Sequence, residues 1–350
     1  MKKRFLSCLL LFSLLLGVCA PAAFAADAWD VKNVSYDDIA DLVEDCVNFT
    51  DAVGELQSAS GSLSAYAATL TNQLSTLQPG SPEYQSVSNR LTLVKAGLAE
   101  IGASIGILKQ SMGGKDNPHD ATVIAAKTLF ISCNSLRDQI NEMSRKQTVF
   151  DENLSNIQQL HDGGYICDLQ LEQTKAQGDS LQAGIQTMQT QFAALRRSFN
   201  TMLGRDYNHS LDMHSLPFAR LNDVGKIKFS DDLADALANY SGDTSGSAYK
   251  NPDYNDEKGS FAASFRKLYD AVNDKNNLLT VEQKAMAVEQ KSFDASKKQY
   301  DAGLISRLAF VSAQDQFDTE TVKVKAAQIA LFSAYEKYQW AIQYGIISDN

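Results

Sequence analysis

Residues Tyr300 to Phe310 read YDAGLISRLAF. They interrupt a proline-free run, 258–345, whose large residues otherwise keep one helical rhythm. Phe265, Val272, Leu279, Met286, Phe293 and Tyr300 recur every seven residues, and Phe310, Phe317, Val324, Leu331 and Tyr338 resume the same step. A heptad held this long describes a seam between paired helices rather than the broader stripe of a short globular helix. Glycine takes the left-handed conformation that closes a helix C-terminus, and serine is a favoured N-cap. Gly303 therefore ends one helix and Ser306 starts the next. The spacing predicts an antiparallel hairpin, with rods 258–302 and 305–345 and its turn at Gly303.

The same device occurs earlier. Leu129, Cys133, Leu136, Ile140 and Met143 alternate four and three, as do Leu171, Thr174, Gly178, Leu181 and Ile185. Gly163-Gly164 separates the two rows. GYICDL (Gly164 to Leu169) reads against GLISRL (Gly303 to Leu308). Each hairpin ends on a large residue plus glycine, Leu203-Gly204 and Tyr344-Gly345. Each half also opens alike: Tyr36-Asp37-Asp38-Ile39-Ala40-Asp41 matches Ser230-Asp231-Asp232-Leu233-Ala234-Asp235. Two copies of a short acidic helix followed by a long hairpin make an internal repeat. The copies are unequal, because further helices at 35–78 and 82–112 precede the first hairpin. Prolines 79, 82, 118, 217 and 252 lie between the helical runs, as a residue that breaks helix interiors should.

Four segments result. Residues 1–25 read as an export signal: Lys2, Lys3 and Arg4, an apolar run Leu9 to Val18, and Ala23-Phe24-Ala25 as a cleavage pattern. Residues 26–204 form the first repeat with its helical N-terminal extension. Residues 205–257 connect, with a short helix at about 231–240. Residues 258–350 form the second hairpin.

Composition excludes several functions. The chain carries a formal charge of -10, and removing Lys2, Lys3 and Arg4 takes the exported part to -13. An acidic chain does not attract nucleic acid or anionic lipid. No run after the signal is long and apolar enough for a membrane helix. Cys46, Cys133 and Cys167 are odd in number and form no CxxC, so they read as small buried apolar residues. His209 and His214 lie five apart with no carboxylate framing a metal site. Neither a glycine-rich phosphate loop nor a Ser/His/Asp pattern is present. The chain reads as a non-enzyme, with no cofactor. Asp231 and Asp232 fall in the first turn of a helix, where its dipole favours acids.

The duplicated hairpin resembles the TolC-type outer-membrane efflux proteins. Tyr300, Gly303, Leu304 and Ser306 match that family's hairpin tip, and Ala313-Gln314 and Tyr344-Gly345 also fit. The first half matches through Gly164, Leu169 and Leu203-Gly204. The resemblance implies an all-α fold of long antiparallel hairpins in two unequal repeats, with coiled-coil-like packing. It implies an exported cell-envelope protein, a homo-oligomer (a trimer if three chains close a tunnel), and a periplasmic adaptor as partner. It places partner docking at the tips: Gly164, Tyr165, Asp168, Gly303, Leu304, Ser306 and Arg307. The chain departs from the family twice. The tip aspartate, six residues after the glycine, is Ala309 here and Gln170 in the first copy. The strands of the family's β-barrel, about 9–11 residues of apolar/polar alternation, have no counterpart in Ser241 to Ser260. Three readings follow: a passive conduit or docking component of an efflux or secretion system, a non-conducting helical rod of the envelope, and a pore-forming helical toxin. The toxin reading needs an apolar insertion hairpin, and its best segment, Ala121 to Cys133, is interrupted by Lys127.

Overall fold

A computed structural model describes residues 33–43, 49–79, 82–112, 118–240 and 260–347. The expected export signal, Cys46 and the segment 241–259 lie outside these. The described chain is helical nearly throughout. Its helices are α1 (Ile39–Leu42), α2 (Phe49–Thr76), α3 (Pro82–Met112), α4 (Pro118–Asp162), α5 (Asp168–Met202), α6 (Phe229–Asn239), α7 (Ser260–Asp301) and α8 (Arg307–Tyr344). A 3₁₀ helix spans Phe218–Lys226. The described strands are two residues each: β1 (Asn33–Val34) pairs parallel with β2 (Asp212–Met213).

Three antiparallel hairpins carry the fold, α2–α3, α4–α5 and α7–α8. The register of the α4–α5 hairpin is fixed from base to tip. Phe130 meets Phe199 with ring centres 5.8 Å apart. Midway, Gly178 sits against Phe150 so closely that a Cβ there would lie 2.6 Å from the ring. At the end His161 reaches Asp168. The α7–α8 hairpin is stacked with aromatics in the same manner: Phe265 on Tyr338, Phe293 on Phe317, Tyr300 on Phe310. Its seam is sealed at the base, where Phe265 and Val272 are fully buried, and opens toward the turn, where Tyr300 is 37% exposed.

The two long hairpins lie side by side through α4 and α8. Lys325 pairs with Asp138 at 2.8 Å, Arg145 with Asp318 at 2.6 Å, and Arg307 with Glu152 at 2.9 Å. Residue numbers rise along α4 as they fall along α8, so the helices are antiparallel and both turns lie at one end. The helices therefore run in the order α5, α4, α8, α7, with α5 and α7 as the edges.

Each broad side of this slab is partly covered. The α2–α3 hairpin lies over α4 and α5. There Leu77, Val87 and Arg90 approach Met143, Lys146 and Phe150. On the opposite side Asn134, Arg137 and Asn141 face Met213, Leu216 and Phe218 of the connecting segment. Met143 is two residues, about 200°, around α4 from Asn141. Coverage from both sides explains Ala121 to Asn134, every one of which is buried. Lys127 is tolerated there because its ammonium lies 5.3 Å over the Tyr36 ring. The segment is core, and the insertion hairpin that a toxin needs is not found in it.

A buried polar knot joins the base. Glu336, 1% exposed, accepts from the Tyr36 hydroxyl at 3.0 Å and from Arg220 at 2.9 Å, and Arg220 also binds Asp37. Asp232 accepts from the Tyr338 hydroxyl at 2.7 Å. The matched acidic openings thus both brace α8.

Two expectations are corrected. Residues 35–78 are not one helix: α1 stops at Leu42, and Val43 is extended with ψ 117. The cysteines are not alike. Cys133 is buried, which pushes its thiol up to about 12, but Cys167 is exposed at the first turn. Cys167 precedes α5 in an extended N-cap conformation and has no neighbouring layer to cover it.

Candidate functional site

The two turns form the candidate site, and backbone chemistry builds them. Gly164 has φ 76 and Gly303 has φ 70, the left-handed region that costs a side-chain-bearing residue about 1–2 kcal/mol. At each turn the following amide reaches back five residues: Tyr165 N–H donates to the Leu160 carbonyl at 2.9 Å, and Leu304 N–H to the Gln299 carbonyl at 2.8 Å. Gly164 and Gly303 themselves donate to the carbonyls of His161 and Tyr300, both at 2.8 Å. This paired pattern satisfies carbonyls that the helix end would leave open. The two tips are the same turn made twice.

They restart differently. In the second, Ser306 caps α8 by accepting from Ala309 N–H at 3.2 Å. In the first, Cys167 occupies the cap position without a side-chain bond. An ion cluster takes over: His161 Nε2 lies 2.6 Å from Asp168, and Nδ1 lies 3.3 Å from Asp162. The cluster ties the last turn of α4 to the first turn of α5. Its hydrogen bonds to Asp168 and Asp162 raise the His161 pKa above the ordinary imidazole value, and bonds from Gln158 and His161 lower that of Asp162. Gly163 has its own reason to be glycine, since a Cβ there would lie 2.9 Å from the Tyr165 ring.

All seven residues assigned to docking lie at this one end. Leu304 is 74% exposed and Tyr165 81%. Arg307 is not a free cation, because Glu152 of the other hairpin holds it. The two tips are therefore linked by an ion pair, with the first projecting about 10 Å further on the rise of α4 beyond Glu152. Leu160 and Leu169 add exposed apolar surface to the first tip. Their signal lay in the periodicity itself: Leu169 falls off the row through Leu171 and Gly178, and Leu160 off the row that Leu136, Ile140 and Met143 begin on α4. Glu152 was not foreseeable, as its partner is distant in sequence.

The large clefts do not compete as a site. One of about 1040 Å³ lies between the hairpins beside the connecting segment, lined by Arg137, Asp138, His214 and Lys325 among others. Its charges are already engaged: Lys325 with Asp138, and Arg137 with the Met213 carbonyl and Asn134. Among the described residues no cluster of His, Cys, Asp and Glu is placed to hold a metal. No described helix is long and apolar enough to cross a membrane.

No family model matches the sequence, and no curated protein matches it. Solved structures do. A crystal structure of CusC, described in terms of folding and transmembrane channel formation, superposes with TM-score 0.51 at 12% identity, covering 88% of this chain and 96% of that one. The Campylobacter jejuni CmeC outer membrane channel gives 0.47 at 10% identity, covering 95% and 94%. The fold is that of the TolC-like channels.

Proposed function

We propose that this chain is an exported, TolC-like component of an envelope efflux or secretion system, and that its paired tips are the surface that docks a periplasmic adaptor. The observation that carries this reading is the shared end: two copies of one turn on hairpins bridged by Arg307–Glu152, presenting Leu304 and Tyr165 to solvent. A turn alone requires the glycines and Ser306. It does not require an exposed leucine and an exposed tyrosine side by side with it. The fold shared with CusC supports the reading, and three copies closing a conduit is the assembly it implies.

A second reading keeps the hairpins without a conducting role. Each described strand spans two residues, against about nine for a strand that crosses lipid. Helices α2 and α3 fill the region before the first hairpin instead. On that reading the protein is a helical rod of the envelope.

The test is capture from envelope extracts of the source organism, with the bound protein identified by mass. Burial of a leucine at an interface contributes about 1.5–3 kcal/mol, so Leu304→Asp should abolish capture of an adaptor while leaving helix content unchanged. Wild-type protein that retains no adaptor favours the rod. Equal capture by both versions removes the tip from the interface.

A further inference from the structure

We propose that a smaller cleft, beside the edge of α3 and floored by α4 and α8, binds a single-chain amphipathic anion of the long-chain carboxylate class. None of its residues belongs to the tips, so the site is additional to the docking surface and does not depend on it.

Shape makes the hollow. Helices α2 and α3 pack on α4 and α5 rather than on α7 and α8. The step where that cover ends encloses about 280 Å³, close to the smallest volumes that ligand pockets take. Val94 and Gly97 of α3 bound it on one side, and Leu268 and Ala271 of α7 on the other. Between them α8 presents Ala326, Ala330 and Ala334. These small side chains leave open the space that Phe332 and Tyr338 fill elsewhere along the same helix. Gly97 adds to it, because nothing lies within 4 Å of where its Cβ would be. The lined face of α8 runs from Ala326 to Lys337, about 16 Å on the helical rise. The hollow is long and mostly apolar, as a hydrocarbon chain requires.

Charge selects the head group. The chain carries a net -10, yet no Asp or Glu lines this cleft. Its charged groups are Lys275 of α7 and Lys337 of α8. Among the described residues neither makes an ion pair, whereas Lys226, Lys323 and Lys325 each hold an acid. Lys275 is exposed and Lys337 half-buried. Such side chains lay their methylene stems along apolar surface and keep the ammonium at the water's edge. Two unpaired ammonium groups at the rim of an apolar trough complement an acid on an apolar chain. A cationic amphiphile of the same length would meet like charge, and a small polar anion would leave the alanines and leucines uncovered.

The experiment is calorimetric titration of the exported protein with laurate below its micelle concentration, with dodecyltrimethylammonium as the cation of equal tail. Laurate should bind once per chain, about tenfold or more tightly than the cation. Shortening the tail should weaken binding about threefold for each methylene removed. Lys275→Glu with Lys337→Glu should weaken laurate binding about tenfold or more. Gly97→Leu with Ala330→Leu should abolish it at unchanged helix content, since both positions line the hollow and Gly97 meets no neighbour. Leu304→Asp should leave laurate binding as it is, so this site and the docking role are read separately. Absence of laurate binding, equal binding of the cation, or binding that survives either pair of changes overturns the proposal. So does a shift in native mass on changing the lysines, which would assign them to a second copy of the chain.

Discussion

At the scale of single residues, the tips and caps rest on a few glycines and one histidine. Gly303 has φ 70 and nothing near its missing Cβ, so Gly303→Ala should cost only the left-handed strain, about 1–2 kcal/mol. Gly345 has φ 63 and also meets Asn239's carbonyl oxygen at 2.4 Å from an added Cβ. Gly345→Ala should therefore lower the melting temperature more than Gly303→Ala, and an equal loss would contradict the close packing of α6 on the end of α8. His161 gives a pH dependence with a definite sign. Its folded pKa is raised by Asp168 and Asp162, so its contribution is full below the ordinary imidazole value and is lost as pH rises through the higher folded value. Proton NMR of the His161 ring should show a midpoint above that of free histidine, and Asp168→Asn should bring it down. An unchanged midpoint in the variant would show that the ion cluster does not close the first tip.

At the scale of elements, burial rather than pattern decides the energetics. The heptad through α7 is uniform in sequence, yet the structure buries Phe265 fully and leaves Phe293 half-buried. Phe265→Ala should cost about 3–5 kcal/mol. Phe293→Ala should cost clearly less, as read from denaturant midpoints. The hairpins were legible because the periodicity, the glycine breaks and the Ser306 cap are all local signals. The layer order was not. Nothing in the composition of α2 and α3 says that they fold back over α4 and α5, and Glu336 carries no mark of the partners it finds in Tyr36 and Arg220. That knot gives a further prediction. Arg220→Leu strips a buried carboxylate of its cation, which should cost about 3 kcal/mol or more, whereas Lys226→Leu at the exposed Asp223 pair should cost under about 1 kcal/mol. The same limit applies at the tips. Their exposed leucines could be read as off-row residues, but the Arg307–Glu152 link joins positions on different hairpins, 155 residues apart in the chain.

At the scale of the whole molecule, the arrangement is a slab with both turns at one end and covering layers on opposite sides. Spin labels at Tyr165 and Leu304 should lie about 20–30 Å apart, from two helix spacings across and the offset along α4. Turns at opposite ends would place them about 60 Å apart or more. This geometry separates the tip end, where the proposed docking takes place, from the shafts of the hairpins. The most direct test of the docking role is a photo-crosslinking residue at position 304 in living cells, with a second at position 281 as reference. The account predicts that position 304 captures a periplasmic adaptor protein that position 281, exposed on the shaft of α7, does not. A position 304 that captures nothing, or only its own chain, would contradict the docking role of the tips.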